Sequence, residues 1–204
     1  MLGFSISLLL LAKTLTIDLE VGQKIKLQSV NKPNHFLSRQ SSSDQLIISD
    51  SGTDNVWIVK SGLIGEGNTI SLESASEGFI YIRIEDLFAK VHFWLDQTDK
   101  ELYKKDASFT TVNGVAGEGI ISLTPYKSAG YLLRHHDGNG MKIELSDGTD
   151  EYNQETSFKV EVIEPPGESM LRVIFTVLRF ESILIQIQLQ TSVPFKRCCR
   201  LKGN

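Results

Sequence analysis

Ile25-Lys-Leu-Gln-Ser29 returns as Ile70-Ser-Leu-Glu-Ser74 and again as Ile121-Ser-Leu-Thr-Pro125, with the leading isoleucines 45 and then 51 residues apart. About ten residues downstream, each copy runs an aromatic or aliphatic pair into an arginine: Phe36-Leu-Ser-Arg39, Tyr81-Ile-Arg83 and Tyr131-Leu-Leu-Arg134. A second alternating run follows in each, at Leu46–Ile48, Val91–Leu95 and Met141–Leu145. Each copy then closes on an acid, two short residues and an aromatic: Asp54-Asn-Val-Trp57, Asp106-Ala-Ser-Phe109 and Glu155-Thr-Ser-Phe158. These segments are short and of period two, and they are separated by turn clusters such as Asp50-Ser-Gly and Asp147-Gly-Thr, so the body is all-β. One such unit cannot bury its own apolar face, whereas three around a pseudo-threefold axis can. The spacing therefore predicts a β-trefoil over 24–163, with repeats at about 24–67, 68–119 and 120–163. It does not predict a sandwich, nor a propeller, which needs more blades.

Working outward, the aromatics that recur once per unit (Trp57, Phe109 and Phe158) are expected in the core. The body is acidic, with 14 bases and 20 acids between residues 24 and 163 in a chain of net charge −4. That balance argues against nucleic acid as a partner, since phosphate binding draws on Lys and Arg. The two cysteines, Cys198 and Cys199, lie outside the repeats, which leaves the body without a disulfide or a cysteine-rich zinc site.

The ends differ from the body. Residues 2–12, Leu-Gly-Phe-Ser-Ile-Ser-Leu-Leu-Leu-Leu-Ala, have the length of a signal-peptide apolar core and are too short to span a bilayer. Residues 1–23 are thus expected to be a leader and the protein secreted; the competing reading is a buried terminal strand. After Pro165-Pro-Gly167, residues 164–204 form a C-terminal extension that the repeats do not explain. Its alternation between Ile183 and Gln190 reads as an amphipathic strand, and Arg172, Arg179 and Glu181 argue against a transmembrane helix.

The string Ile121-Ser-Leu-Thr, Gly130-Tyr-Leu-Leu-Arg-His135 and Glu155-Thr-Ser-Phe158 resembles the arabinose-binding domain of the α-L-arabinofuranosidase B family. Ser29-Val-Asn-Lys-Pro33 and Asp106-Ala-Ser-Phe109 match the opening and the end of that family's repeat. The resemblance covers all three copies. It implies a β-trefoil whose repeats can each hold an arabinofuranose side chain of a polysaccharide, using the histidine after the arginine, the acid before the aromatic, and aromatic neighbours. Such a set suits a sugar: a carboxylate accepts from vicinal hydroxyls, an imidazole adds a polar partner, and an aromatic covers the C–H face.

Carried over residue by residue, the third repeat keeps Tyr131 and His135 and has Glu155 where the pattern has aspartate. The second keeps Asp106 but has Ile84 after Arg83. The first has Asp54, with Gln40 after Arg39. Tyr131, His135 and Glu155 are therefore the leading carbohydrate-binding candidates, followed by Asp106 and Asp54. The bland reading of each acid is a carboxylate capping the turn before the strand. No nucleophile elbow, phosphate loop or HExxH segment appears, and Asp147-Gly-Thr-Asp-Glu151 lacks calcium-loop spacing, so no catalytic residue, cofactor or metal ligand is assigned. The resemblance implies that hydrolysis belongs to a separate catalytic domain. The expectation for this chain is a monomeric, non-catalytic carbohydrate-binding domain; the alternative is a trefoil protein-interaction module that has lost sugar binding.

Overall fold

A computed structural model describes residues 18–164 apart from 41–42, 53, 118 and 137–139. The bulk of the expected leader and the extension from 165 onward, with Cys198 and Cys199, lie outside the described residues. The chain divides after Pro166 into two units, and the three repeats all belong to the first.

Twelve strands run β1 (Lys24–Ser29), β2 (Phe36–Arg39), β3 (Leu46–Ser49), β4 (Trp57–Ser61), β5 (Ile70–Ser74), β6 (Ile80–Glu85), β7 (Phe88–Phe93), β8 (Phe109–Asn113), β9 (Ile120–Pro125), β10 (Tyr131–His135), β11 (Met141–Leu145) and β12 (Phe158–Glu164). Two short helices, α1 (Lys100–Asp106) and α2 (Asp150–Glu155), precede β8 and β12. Six strands close into a ring by antiparallel pairing: β1 with β4, β4 with β5, β5 with β8, β8 with β9, β9 with β12, and β12 back to β1. The other six form three hairpins, joined to one another by the bridges Gln45–Lys90, Ile47–Gly140 and Phe88–Lys142. A six-stranded barrel with a triplet of hairpins at one end is the β-trefoil that the repeats predict.

Alternation explains the packing. In β1, Ile25, Leu27 and Ser29 point inward while Lys24, Lys26 and Gln28 do not. Trp57, Phe109 and Phe158 are fully buried in one continuous core with Leu37, Ile82 and Leu133. Those last three each stand twelve residues after the leading isoleucine and pair with the buried Ile48, Val91 and Ile143. The loop between the first two strands of each repeat needs a left-handed backbone nine residues after that isoleucine, and it is met by Asn34, Phe79 and Gly130, with φ of 66°, 65° and 89°. Glycine and asparagine accept this conformation readily, and a phenylalanine does not.

This register corrects one part of the sequence alignment. Arg83 and Arg134 stand thirteen residues after their isoleucines, where the first repeat has the fully buried Ser38, so Arg39 is one residue late and falls at the place of Ile84 and His135. Tyr131 likewise falls at the place of Ile80, one residue before that of Tyr81, and a one-residue step on a strand changes face.

Candidate functional site

The acids that end the first two repeats bond across the seam to the next, Asp54 to Ser74 and Asp106 to Lys127, whereas Glu155 bonds Arg134 of its own repeat. In the second, α1 is started by Asp99, whose side chain accepts from the Leu102 N–H, and it ends on Asp106. Asp106 is almost fully buried: Oδ2 accepts from Arg83 Nη2 at 3.3 Å and Oδ1 from Lys127 Nζ of the following repeat at 3.3 Å. Burial raises its pKa against the pull of both cations. Behind the pair, Tyr103 sits with the Arg83 guanidinium 5.2 Å from its ring centre and donates its hydroxyl to the His92 carbonyl at 2.7 Å.

The third repeat repeats this design. Thr149 caps α2, Glu155 ends it, and Glu155 Oε2 accepts from Arg134 Nε at 2.7 Å and Nη2 at 2.6 Å. Tyr152 stacks on Arg134 at 5.2 Å and donates to the Glu144 carbonyl at 2.8 Å. Glu155 Oε1 has no partner among the described residues. In the first repeat, no helix precedes Trp57 among the described residues, and Asp54 Oδ1 accepts from Ser74 Oγ of the second repeat at 3.0 Å. None of the three acids accepts from a backbone N–H among the described hydrogen bonds, so they hold side chains across strands and seams rather than capping turns.

His135 is 1% exposed and faces the seam with the first repeat. Its Nε2 lies 2.6 Å from Asn31 Oδ1 and 3.2 Å from Ser29 Oγ, and Ser29 Oγ also donates to Asn31 Oδ1 at 2.9 Å. Because an amide oxygen only accepts, Nε2 carries the proton, and Nδ1 is left as a buried acceptor without a partner among the described residues. Burial pushes the imidazole down to about 4, with Glu155 nearby pulling the other way, so His135 is neutral at pH 7. Tyr131 packs half-buried against the core. Tyr131 and His135 stand at opposite ends of β10 and Glu155 closes α2, each with its own contacts, so the structure does not bring the three leading candidates together through any hydrogen bond among the described residues.

Sequence reasoning missed Arg83, Arg134, Tyr103 and Tyr152, which fix the acids, and Asn31 and Ser29, which fix His135. A signal for the first four was present. Tyr103-Lys-Lys-Asp-Ala-Ser-Phe109 and Tyr152-Asn-Gln-Glu-Thr-Ser-Phe158 share a tyrosine three residues before the acid, one helical turn away and on the same face.

With this geometry in place, the comparisons decide the family. The model of the α-L-arabinofuranosidase B (ABFB) domain matches residues 25–160, all three repeats. The chain belongs to the ABFB domain family. Its fold recurs in a GH54 α-L-arabinofuranosidase soaked with a cyclic sulfate inhibitor, at 20% identity and a TM-score of 0.60, over 71% of this chain and 32% of that one. An arabinofuranosidase complexed with arabinofuranosyl-α-1,2-xylobiose gives 19% identity and the same TM-score, over 71% and 32%. This ABFB chain thus spans about a third of the length of those enzymes. A ricin B-like lectin from Macrolepiota procera, in complex with lactose, matches over its whole length at 15% identity, with a TM-score of 0.51 and 73% of this chain covered. At these identities the likeness is one of fold. No curated protein sequence matches the chain. Among the described residues of the ABFB domain, no helix is long and apolar enough to cross a membrane, and no group of three or more His, Cys, Asp or Glu side chains could hold a metal ion.

Proposed function

We propose that this ABFB domain is a non-catalytic carbohydrate-binding module that holds arabinofuranose-type side chains of a polysaccharide at the seams of its trefoil, with the third repeat as its main site. The observation that carries this reading is Glu155: Arg134 fixes its carboxylate through Oε2 and leaves Oε1, at a partly exposed position, without a partner among the described residues. A carboxylate held in place this way accepts a sugar hydroxyl without losing side-chain entropy on binding. Tyr131 flanks the ring. His135 holds Asn31 at the seam and offers Nδ1 as an acceptor once a ligand displaces what covers it. Asp54, with one oxygen committed to Ser74, and Asp106, with both oxygens on cations, are subsidiary sites. The family match and the lectin-like fold support the reading.

One observation favours a second reading. The buried Asp106 is saturated by Arg83 and Lys127, as expected of a structural ion pair, and a trefoil with all its acids so engaged would serve as a protein-interaction module.

Calorimetry with arabinoxylan and arabinan separates the two. The expected result is weak binding that falls at least about tenfold in Glu155→Gln, a hydrogen-bond loss of a few kcal/mol at most. Wild-type protein that binds neither polymer rejects the sugar reading, and a variant that binds as well as wild type rejects Glu155 as its main site. Assay with an aryl arabinofuranoside is expected to release no arabinose.

A further inference from the structure

Where the three hairpins meet, the chain encloses an apolar cavity of about 280 Å3 that contains none of the acids ending the repeats. Its floor takes one residue from each hairpin: Leu46, Ala89 and Met141, each two residues before the buried Ile48, Val91 and Ile143 and each at most 2% exposed. That equivalence explains the cavity. The first and third repeats fill the position with a long side chain and the second with a methyl group, so the missing volume stays open between them. We propose that this cavity binds a small neutral aromatic molecule, a single substituted ring carrying a hydroxyl. The inference does not draw on the carbohydrate-binding reading.

The cavity is held open by backbone. The bridges Gln45–Lys90, Ile47–Gly140 and Phe88–Lys142 tie each hairpin to the other two. Beside them, the Val91 N–H donates to the Asp44 carbonyl at 2.7 Å and the Ile143 N–H to the Leu87 carbonyl at 2.9 Å. A ligand entering a site fixed in this way orders little of the protein, so less of its contact energy is lost. An apolar cavity of roughly 150 Å3 is enough to hold benzene, and this one has room for a ring with a short substituent.

The lining selects a ring, and a neutral one. Phe88 is part of the wall and is 59% exposed, which leaves its ring available to a ligand. Aromatic pairs and sulfur–aromatic contacts both favour a ring over an alkyl group; Phe88 supplies the first and the Met141 thioether the second. Two lysines also line the cavity, and each is already matched: Lys90 Nζ donates to Glu85 Oε2, and Lys142 Nζ to Glu144 Oε1 at 2.5 Å. Their methylene stems add to the apolar wall, while a carboxylate or phosphate would have to displace a glutamate to reach them. Gln45 and His136 complete the lining as exposed residues whose side chains make no hydrogen bond among the described residues. They offer the donor and the acceptor that a hydroxyl requires.

The test is a titration of the isotope-labelled full chain with 4-ethylphenol and with its saturated counterpart, 4-ethylcyclohexanol, followed through the backbone amides of Phe88, Ala89, Gly140 and Met141. The expected result is saturable shifts at these amides, with the phenol bound at least about threefold more tightly than the cyclohexanol. Ala89→Leu fills the cavity with the side chain that the first repeat already carries at Leu46. It should weaken binding at least about tenfold and melt at or above the wild-type temperature, so the loss cannot be ascribed to unfolding. Phe88→Leu keeps an exposed apolar side chain and should erase the preference for the phenol. No saturable shift at these amides would overturn the inference, as would an Ala89→Leu variant that binds as well as wild type or melts below it. Equal affinity of the wild-type protein for the two probes would overturn the aromatic assignment. Sedimentation showing a dimer that Ala89→Leu dissociates would give the cavity to a second copy and overturn the inference as well.

Discussion

Two seams of the trefoil carry the same architectural position and treat it in opposite ways. Where the third repeat meets the first, the position is His135, and Asn31 and Ser29 close over it until 1% of it is exposed. Where the first repeat meets the second, it is Arg39, which reaches along the surface to Glu77 and leaves an open cleft beside it. The difference is one of hydration. An imidazole sheds its charge and is buried as a neutral hydrogen-bonding group, whereas a guanidinium stays charged and keeps its contact with water. The seam between the second and third repeats lies between these extremes, with the apolar Ile84 at the position and Lys127 bonded to Asp106 nearby.

The comparison can be broken most forcefully behind the open seam. Arg83→Met leaves Asp106 buried with Lys127 as its one cation among the described residues and removes the guanidinium from the Tyr103 ring. Urea denaturation should show a loss of about 3 kcal/mol, the usual cost of removing half of a buried pair. A loss below about 1 kcal/mol would mean that the pair is solvated rather than structural.

The closed seam is tested by pH. His135 titrates at about 4 when folded and near the ordinary histidine value of 6.5 when unfolded. The unfolded state therefore takes up the proton first, and stability falls as pH drops from about 6.5 to about 4, then levels off. The effect approaches about 3 kcal/mol at the acid end of that window. The difference in stability between wild type and His135→Gln should carry this slope, since the other titrating groups are common to both; equal slopes would show that His135 is not buried neutral. The smallest effect belongs to Arg39→Met. Its pair with Glu77 is exposed at the acid, and stability should change by less than about 0.5 kcal/mol.

How far the sequence foretold this depends on the range of the interactions. The trefoil was legible because strand alternation and the recurrence of Ile25, Ile70 and Ile121 are local signals, and the burial of Trp57, Phe109 and Phe158 followed from them. The position of the acids was legible too, since each stands three residues before a core aromatic. Their partners were not. Arg83 and Asp106 are brought together by a hairpin and a helix, and His135 meets Asn31 from 104 residues away. The offset of Arg39 was hidden because motif matching anchors on the arginine, whereas the strands anchor on Leu37, Ile82 and Leu133, which bury the apolar surface. The cleft owes its far wall to the turn at Trp94–Asp96, whose counterpart the other repeats lack, and no repeat pattern announces an insertion.

The ring of six strands has one more consequence. The first and last strands exchange hydrogen bonds along their whole length, and Lys24 Nζ meets Glu164 Oε2 at 2.6 Å where one begins and the other ends. The ring is thus closed by hydrogen bonds between its first and last strands, and Lys24 and Glu164 lie at the end of β1 away from its contact with the first hairpin. Unfolding from either described end must therefore break the pairing of β1 with β12 that closes the ring.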